Sequence, residues 1–186
     1  MSFQIRKAVL EDYQKIIFLQ KDSYYNALTE EQKKKEGFVS IIMNQKLLEE
    51  ANKESGVIVA IKNNDLIGHE ISLSTKKAET ISLLKPFIKR LEKVNYKNKP
   101  VMSYKTVIGG QICVKKEFKG QGIVEEMHKE FIKMLRENYD LIVTEVSNHN
   151  PRSLHVCTKK LGFKIIDQYS AEGKDWFILA QELKNN

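Results

Sequence analysis

The chain has 186 residues, 41% of them hydrophobic, and this length and composition fit one domain spanning residues 1–186 with a single core. No apolar run approaches the roughly 20 residues that a membrane-spanning helix needs, and the N-terminal segment lacks the apolar stretch of a signal peptide. The two cysteines, Cys113 and Cys157, are too few for a disulfide framework. We therefore expect a cytoplasmic protein that does not contact a membrane.

The charge balance favours an anionic partner. Lysine and arginine number 31 against 24 aspartate and glutamate residues, which gives a net charge of +7. A nucleic acid, an acidic membrane, a phosphorylated small molecule or simply a lysine-rich surface would explain this surplus. The longest basic run, Lys33–Lys35, is short and has no interleaved aromatic residues, which argues against nucleic acid. The four histidines show no metal-ligand spacing, so we expect no metal.

The first half of the chain is predicted to begin with a strand and three helices. Hydrophobic residues at a spacing of two indicate strands, and those at a spacing of three to four indicate helices. In chain order they predict a strand at 3–9, a helix at 10–25, a short helix between Thr29 and Gly37, a helix at 40–55, and hairpin strands at 57–61 and 66–73. The turn of the hairpin is predicted at Asn63, Asn64 and Asp65.

The second half alternates helices and strands. The pattern predicts a helix at 79–96 whose first turn Pro86 would cut, a loop at 95–100, a strand at 103–114, a helix at 122–138, a buried strand at 141–147, a helix at 150–163, and closing strands at 164–167 and 176–183. The pair Gly109-Gly110 indicates a bulge or a close backbone approach. This order mixes hairpins with crossovers, so it predicts an α/β fold: a mixed sheet of six to seven strands with helices on both faces.

Two glycines, Gly120 and Gly122, precede the strongest predicted helix. A helix N-terminus carries unpaired N–H groups and a partial positive charge, and glycines there allow an anion to approach closely. An ordinary strand-to-helix turn is the alternative. The P-loop pattern is absent, and a dinucleotide fingerprint would need a small residue where Glu125 stands.

The segment Lys119-Gly120-Gln121-Gly122-Ile123-Val124 resembles the coenzyme A-binding motif of the GNAT superfamily of N-acetyltransferases, Arg/Gln-x-x-Gly-x-Gly/Ala. It departs from that motif at Lys119, which keeps a donor, and at Val124, which replaces a small residue. The opening segment "IRKAVLEDYQKI" and the later segment "NPRSLHVCTKKLGFKII" also resemble this family, so the resemblance covers nearly the whole chain.

The resemblance implies a GNAT-like acyl-CoA N-acyltransferase fold that uses acetyl-CoA as cosubstrate. In that fold two neighbouring strands, here 103–114 and 141–147, splay apart and admit the pantetheine arm. The cofactor-binding residues implied in this way are Cys113, Val114, Lys119, Gly120, Gln121, Gly122, Ile123, Val124, Asn150 and Ser153. Asn150 and Ser153 are equally explained as the cap of the last helix.

The catalytic groups do not carry over completely from the family. Many members place a tyrosine acid in the last helix, where this chain has Cys157 and Thr158, and the segment before the final "GF" is one residue longer than usual. Cys157 is either a substitute acid or a packing residue. Glu145, and second Glu70, are the candidate bases because each is a carboxylate within an apolar strand; a sheet-surface acid paired with a lysine is the alternative.

The acceptor is expected to be a primary amine that the sequence does not identify. The resemblance implies that residues 24–55 form the acceptor wall, with Tyr24, Tyr25 and Phe38 as lining residues. The segment 79–100 is an insertion, for which a lid, a homodimer contact and simple packing all stay open. A non-catalytic acyl-CoA-binding sensor is the alternative function, and a nucleic-acid-binding protein is a third.

Overall fold

The computed structural model describes residues 3–171 and 173–184, and these build one mixed seven-stranded sheet with helices on both faces. The strand order is β1-β2-β3-β6-β7-β9-β8. These strands are β1 (Gln4–Lys7), β2 (Val57–Lys62), β3 (Asp65–Ser74), β6 (Thr106–Val114), β7 (Leu141–Ser147), β8 (Lys164–Ala171) and β9 (Lys174–Glu182), and a small hairpin adds β4 (Asn95–Tyr96) and β5 (Lys99–Pro100). The predicted sheet architecture is thereby confirmed. Within the described ranges no helix is both long and apolar enough to cross a membrane.

In the described part of the chain, seven α-helices pack on the two faces of the sheet. They are α1 (Tyr13–Asp22), α2 (Glu30–Glu36), α3 (Gln45–Glu54), α4 (Thr75–Glu79), α5 (Lys85–Leu91), α6 (Ile123–Leu135) and α7 (Pro151–His155). Alternating strand residues point to opposite faces, so the sheet supports two separate cores. One core lies under α1, α3, α4 and α5, and the other lies under α6 and the turn after α7.

Helix α6 shows why the second core forms. Ile123, Met127, Phe131 and Leu135 recur at a spacing of four and are almost completely buried. Burying each such side chain stabilises the fold by about 1.5–3 kcal/mol. The burial fixes the direction of α6, and therefore the position of its N-terminus above the carboxyl end of β6.

Three predicted segments differ from the structure. The helix predicted at 40–55 begins only at Gln45, because Asn44 caps it by accepting a hydrogen bond from the Leu47 N–H (2.9 Å) and residues 40–44 run extended. The helix predicted at 79–96 is divided into α4 and α5, since Ser74 caps an earlier helix and Pro86 lies in the first turn of the second. The predicted loop at 95–100 contains the β4–β5 hairpin.

The pairing of β6 with β7 ends early and leaves a gap. These strands run parallel and pair only from Thr106 to Ile108 on β6 and from Leu141 to Val143 on β7. At the end of the paired part, Thr144 Oγ1 donates a hydrogen bond to the carbonyl oxygen of Gly109 (2.8 Å). The register with β3 shifts at the same place, since Ile71 pairs with Gln111 and Ser72 with Gly109. Gly110 is therefore the extra residue of a bulge, as the sequence predicted, and the strands separate beyond it.

The last helix absorbs an extra residue. After α7 the chain continues as a π-helical turn, Val156–Lys160, before Gly162 ends it with a φ of 81°. A π turn holds one more residue than the corresponding α turn. The turn therefore accounts for the additional residue that the sequence shows between Asn150 and Gly162.

Candidate active site

A cavity of about 220 Å³ opens where β6 and β7 separate. Its walls come from both strands, from the N-terminus of α6, from α7 and its π turn, and from the extended segment before α3. The cavity reaches both faces of the sheet, because β6 and β7 are not paired at this point. The predicted separation of the two strands therefore coincides with a cavity that reaches the predicted motif residues.

The glycine turn lies at one end of this cavity. Gly120 and Gly122 have φ values of 80° and 79°, and a Cβ atom at either position would meet nothing within 4 Å. Gly122 is the N-cap of α6, and no side chain caps the first-turn N–H groups. Ile123 and Val124 continue the lining. The turn therefore presents unpaired amide donors to open space, which is the geometry that an anion requires.

The charged residues of the turn are partly engaged. Glu36, at the end of α2, accepts ion pairs from Lys116 (2.8 Å) and from Lys119 (3.6 Å). The hydrogen bond from Lys116 and the charge of Lys119 hold the pKa of Glu36 below its usual range, although burial opposes the shift. Gln121 donates to the carbonyl oxygen of Glu117 (3.0 Å) and does not belong to the described lining of this cavity. Of the two polar side chains in this turn that are predicted to bind the cofactor, Lys119 and Gln121, only Lys119 therefore lines the cavity.

Asn150 both caps α7 and holds a neighbouring loop. Its Oδ1 accepts a hydrogen bond from the Ser153 N–H (3.2 Å), and its Nδ2 donates to the carbonyl oxygen of Phe38 (3.0 Å). Asn150 is 5% exposed, and it lines the cavity together with Ser153. The capping that the sequence indicated is present, and the same side chain joins α7 to the wall formed by residues 37–38.

Glu145 reaches the cavity from β7. It lines the cavity two residues beyond Val143, the last residue of β7 that pairs with β6, and accepts a hydrogen bond from the hydroxyl of Tyr169 on β8. Tyr169 did not emerge from the sequence, because it lies two strands away across β9 and belongs to no motif. The carboxylate is thus oriented by a phenol donor near the point where β6 and β7 separate.

Glu70 reaches the same cavity from β3, and it has a partner that the sequence did not indicate. Its Oε1 lies 2.6 Å from Nδ1 of His128 on α6, and Nε2 of that ring lies 2.7 Å from Oε1 of Gln181 on β9. Glu70 and His128 are only 2% and 3% exposed. The sequence offered one indication of His128: it lies next to the apolar stripe of α6, and a histidine at such a position is buried in the protein.

Both cysteines are free, buried and part of the lining. Burial raises the pKa of Cys113, and it raises the pKa of Cys157 to about 11. Neither side chain is therefore a thiolate at neutral pH, which weighs against a cysteine nucleophile. Among the residues that the structure describes, no three histidine, cysteine, aspartate or glutamate side chains gather into a group that could hold a metal ion.

The far wall of the cavity is apolar. Phe38, Ile41 and Met43 contribute from the extended segment, and Leu84 and Phe87 contribute from the region of α5. Gln20 accepts from the Met43 N–H and Gln111 donates to the Ile41 carbonyl oxygen, so two buried amides hold the extended segment in place. Tyr25 packs edge-on against Phe38 with ring centroids 4.9 Å apart, and neither Tyr24 nor Tyr25 is among the described lining residues.

Comparison with known proteins agrees with this arrangement. The model of the Acetyltransferase (GNAT) family matches residues 13–163. A comparison with curated protein sequences found no match. Among solved structures, an N-acetyltransferase from Staphylococcus aureus Mu50 aligns over 99% of this chain and 100% of its own, with 17% sequence identity and a TM-score of 0.66.

Two further structures show the same fold. A putative acetyltransferase from Salmonella typhimurium, solved with its cofactor acetyl-CoA, covers 100% of this chain and 96% of its own at 14% identity and a TM-score of 0.66. The ribosomal-protein-S18-alanine N-acetyltransferase from Escherichia coli covers the same shares at 12% identity and a TM-score of 0.62. The resemblance that the glycine motif indicated is confirmed, and because the family model spans most of the sequence, the chain belongs to the acetyltransferase (GNAT) family.

Proposed function

We propose that this protein transfers an acetyl group from acetyl-CoA to a primary amine by direct attack within a ternary complex. The observation that carries the proposal is the gap between β6 and β7, which connects the glycine turn at one end with Glu145 at the other. Acetyl-CoA carries its diphosphate and its thioester at opposite ends of the pantetheine arm. Its use as acetyl donor therefore calls for an anion site at one end of the gap and a carboxylate near the reacting carbon at the other. Both cysteines are free and buried, which fits the reducing cytoplasm that we expect.

The residues around the gap fit acetyl-CoA. The diphosphate would lie against the amides of Gly120, Gly122 and Ile123, where positive φ values and open space leave room for it. Asn150, Ser153 and Lys119 flank that position. The pantetheine would run along Cys113 and Val114, whose strand no longer pairs with β7. A backbone N–H of this segment would then stabilise the negative charge that develops on the carbonyl oxygen.

Glu145 is the base in this proposal. The amine attacks in its neutral form, and Glu145, which lies on β7 two residues beyond the last pair with β6, takes the proton that the nitrogen loses as it becomes an amide, directly or through one water molecule. Tyr169 donates a hydrogen bond to the carboxylate and fixes its orientation. The amine nitrogen bonds to the carbonyl carbon, the carbon–sulfur bond breaks, and the electron pair remains on the sulfur of CoA.

The lining supports an acceptor with an apolar body. Phe38, Ile41, Met43, Leu84 and Phe87 offer no charged partner for a second ammonium group, whereas the carboxylate of Glu145 attracts the reacting amine. An arylalkyl or branched alkyl amine therefore suits the cavity better than a polyamine, because a second charge would be buried without compensation. This extends the proposal to the class of acceptor.

The test measures CoA release from acetyl-CoA against a panel of amines that contains phenethylamine, isoamylamine, ethanolamine and spermidine. We expect turnover with the first two, and a loss of about 10²–10⁴-fold in kcat for Glu145→Gln. Glu137→Gln, an exposed carboxylate at the end of α6, is the matched control and should not change kcat. Tight acetyl-CoA binding without CoA release for any amine would instead support a sensor and refute the enzyme.

A further inference from the structure

A buried chain of three polar side chains crosses the second core beneath α6. Glu70, His128 and Gln181 come from β3, α6 and β9, and the chain ends where Gln181 Nε2 donates to the carbonyl oxygen of Leu161 (2.8 Å). Placing an ionisable pair in an apolar core costs several kcal/mol in desolvation, and an apolar replacement is often at least as stable. The base chemistry assigned to Glu145 does not use this pair, so its presence calls for another role.

The hydrogen bonds determine where the protons are. Because the amide nitrogen of Gln181 donates to Leu161, its oxygen faces His128, and Nε2 of the ring must carry a hydrogen to donate to that oxygen. The contact of 2.6 Å between Nδ1 and Glu70 Oε1 then requires one further proton between the two groups. That proton belongs either to an imidazolium or to a carboxylic acid, so the pair stores one transferable proton.

The surroundings keep this proton bound. Burial raises the pKa of Glu70. Burial opposes the charged ring of His128, but the Glu70 charge and the hydrogen bonds to Glu70 and Gln181 outweigh it and raise the pKa of His128. The groups around the pair carry no charge. On β6 the apolar Ile112 is paired with Glu70, and on β9 the neutral Gln181 contacts His128. In the π turn, the titratable group near Glu70 is the Cys157 thiol.

The second oxygen of Glu70 receives no hydrogen bond from the described residues. This atom, Oε2, is buried, although Glu70 lines the cavity. A buried carboxyl oxygen without a donor is rare, and it marks a place where a ligand or water completes the contact. Cys157 lines the same part of the cavity, and the Glu70 charge adds to the rise in its pKa that burial causes. Glu70 therefore extends into the space beside the small Cys157 side chain.

We propose that Glu70 is the general acid that protonates the sulfur of CoA as it leaves, and that His128 and Gln181 position it and hold its proton. This rests on the proposed acetyl transfer. When the carbon–sulfur bond breaks and leaves its electron pair on sulfur, the Glu70 carboxyl gives its proton to that sulfur and becomes a carboxylate beside neutral His128. The nitrogen attacks as a neutral amine and gives one proton to Glu145 as it becomes an amide. After the products leave, Glu145 releases that proton to solvent and solvent returns a proton to the Glu70–His128 pair.

One rotation connects the stored proton to the cavity. The terminal torsion of a glutamate is broad and roughly two-fold, so a half-turn about Cγ–Cδ exchanges the two oxygens. The oxygen that took the proton from Nδ1 then takes the position of Oε2. Nothing is oxidised or reduced in this sequence, and the protein returns to its starting protonation state.

The experiment records single-turnover rates of the full chain from pH 6 to pH 10 with saturating acetyl-CoA and the best amine of the panel. Because the acid must be protonated, the wild-type rate should fall as the pH rises through the apparent pKa of the pair. Glu70→Gln should lower the rate about 100-fold and remove this alkaline fall, with acetyl-CoA affinity within twofold of wild type. His128→Gln should move the fall to lower pH, because it removes the proton store but keeps the carboxyl.

Two controls make the outcome decisive. Glu130→Gln, a surface charge on the same helix that pairs with Lys133, should leave the profile unchanged. The seleno analogue of acetyl-CoA, whose leaving selenolate needs no proton, should abolish the alkaline fall in the wild-type protein, and this measurement does not depend on any variant folding. A Glu70→Gln profile like that of wild type, or an alkaline fall that persists with the seleno donor, would overturn the proposal. Absence of turnover in the wild type would instead refute the acetyl transfer itself.

Discussion

Gly120 and Gly122 each provide both a left-handed backbone conformation and open space beside the backbone. Both adopt positive φ values that side chains of L-residues rarely adopt, and both leave open space where a Cβ would stand. A side chain at either position would therefore not clash with the protein but would occupy the space proposed for the diphosphate. The sequence could predict this pair because a helix N-terminus next to two glycines is a local pattern.

Substituting Gly122→Asp should abolish detectable acetyl-CoA binding while the fold survives. A carboxylate about 4 Å from a diphosphate charge costs about 4 kcal/mol at an effective dielectric constant of about 20, which corresponds to a loss of roughly 10³-fold in affinity. The backbone strain at positive φ costs about 1–2 kcal/mol of stability. Isothermal titration calorimetry measures the affinity, and chemical denaturation measures the stability.

Gly173 supplies the matched control for this substitution. It has a φ of 73° and equally open surroundings, but it lies in the turn between β8 and β9. Gly173→Asp should carry the same strain and leave acetyl-CoA affinity unchanged. Equal affinities for the two variants would remove the glycine turn from the binding site.

Other residues of the site were beyond sequence reasoning. His128 contacts Gln181 and Glu70 across sequence separations of 53 and 58 residues, and Tyr169 contacts Glu145 across β9. Such contacts depend on how strands and helices are placed, and no local spacing records them. The sequence identified Glu70 and Glu145 as unusual carboxylates in apolar strands, but their partners are a histidine and a tyrosine where a lysine was the alternative expectation.

At the scale of the elements, strand alternation and helical spacing predicted most segments, and capping residues decided the exceptions. The predicted helix at 40–55 is shorter because Asn44 caps it, and the predicted helix at 79–96 is divided because Ser74 and Pro86 favour two separate starts. Both exceptions affect the cavity, since Ser40, Ile41 and Met43 line it before α3, and Leu84 and Phe87 line it at the start of α5. The insertion at 79–100 thus contributes to the lining of the cavity.

The connection between β1 and α1 should depend on pH through Asp12. Arg6 binds Asp12 through two hydrogen bonds, one of 2.5 Å and one of 3.0 Å, and the Val9 N–H donates to the same carboxylate. Burial opposes the ionised form, but these donors outweigh it and lower the pKa of Asp12. A lowered pKa in the folded state contributes stability above the ordinary pKa of about 4, and this stability is lost as the pH falls through the folded value.

We therefore expect Asp12→Asn to lower the free energy of unfolding by about 1.5–3 kcal/mol at pH 7, as for other hydrogen bonds to charged groups. The difference from wild type should shrink as the pH falls below 4. Urea denaturation at pH 7, 4 and 2.5 measures it. Glu11→Gln, the exposed neighbour, should change stability by less than about 0.5 kcal/mol. A difference that stays constant with pH would show that the Asp12 charge contributes nothing.

At the scale of the whole molecule, the two faces of the sheet have separate tasks. The face under α6 and α7 carries the glycine turn and the Glu70–His128 pair, and the opposite face carries the apolar wall. The early end of β6–β7 pairing joins them. The order of elements predicted the mixed sheet, whereas the position of this opening came from the resemblance to the family, because no single-strand pattern shows where two strands stop pairing.

The central claim is that acetyl-CoA lies in the gap between β6 and β7. A crystal structure of the protein with acetyl-CoA tests it most directly. We predict the diphosphate against the amides of Gly120, Gly122 and Ile123, the pantetheine between the separated strands, and the thioester between Glu145 and Glu70. Acetyl-CoA bound elsewhere on the surface, with this gap empty, would contradict the account.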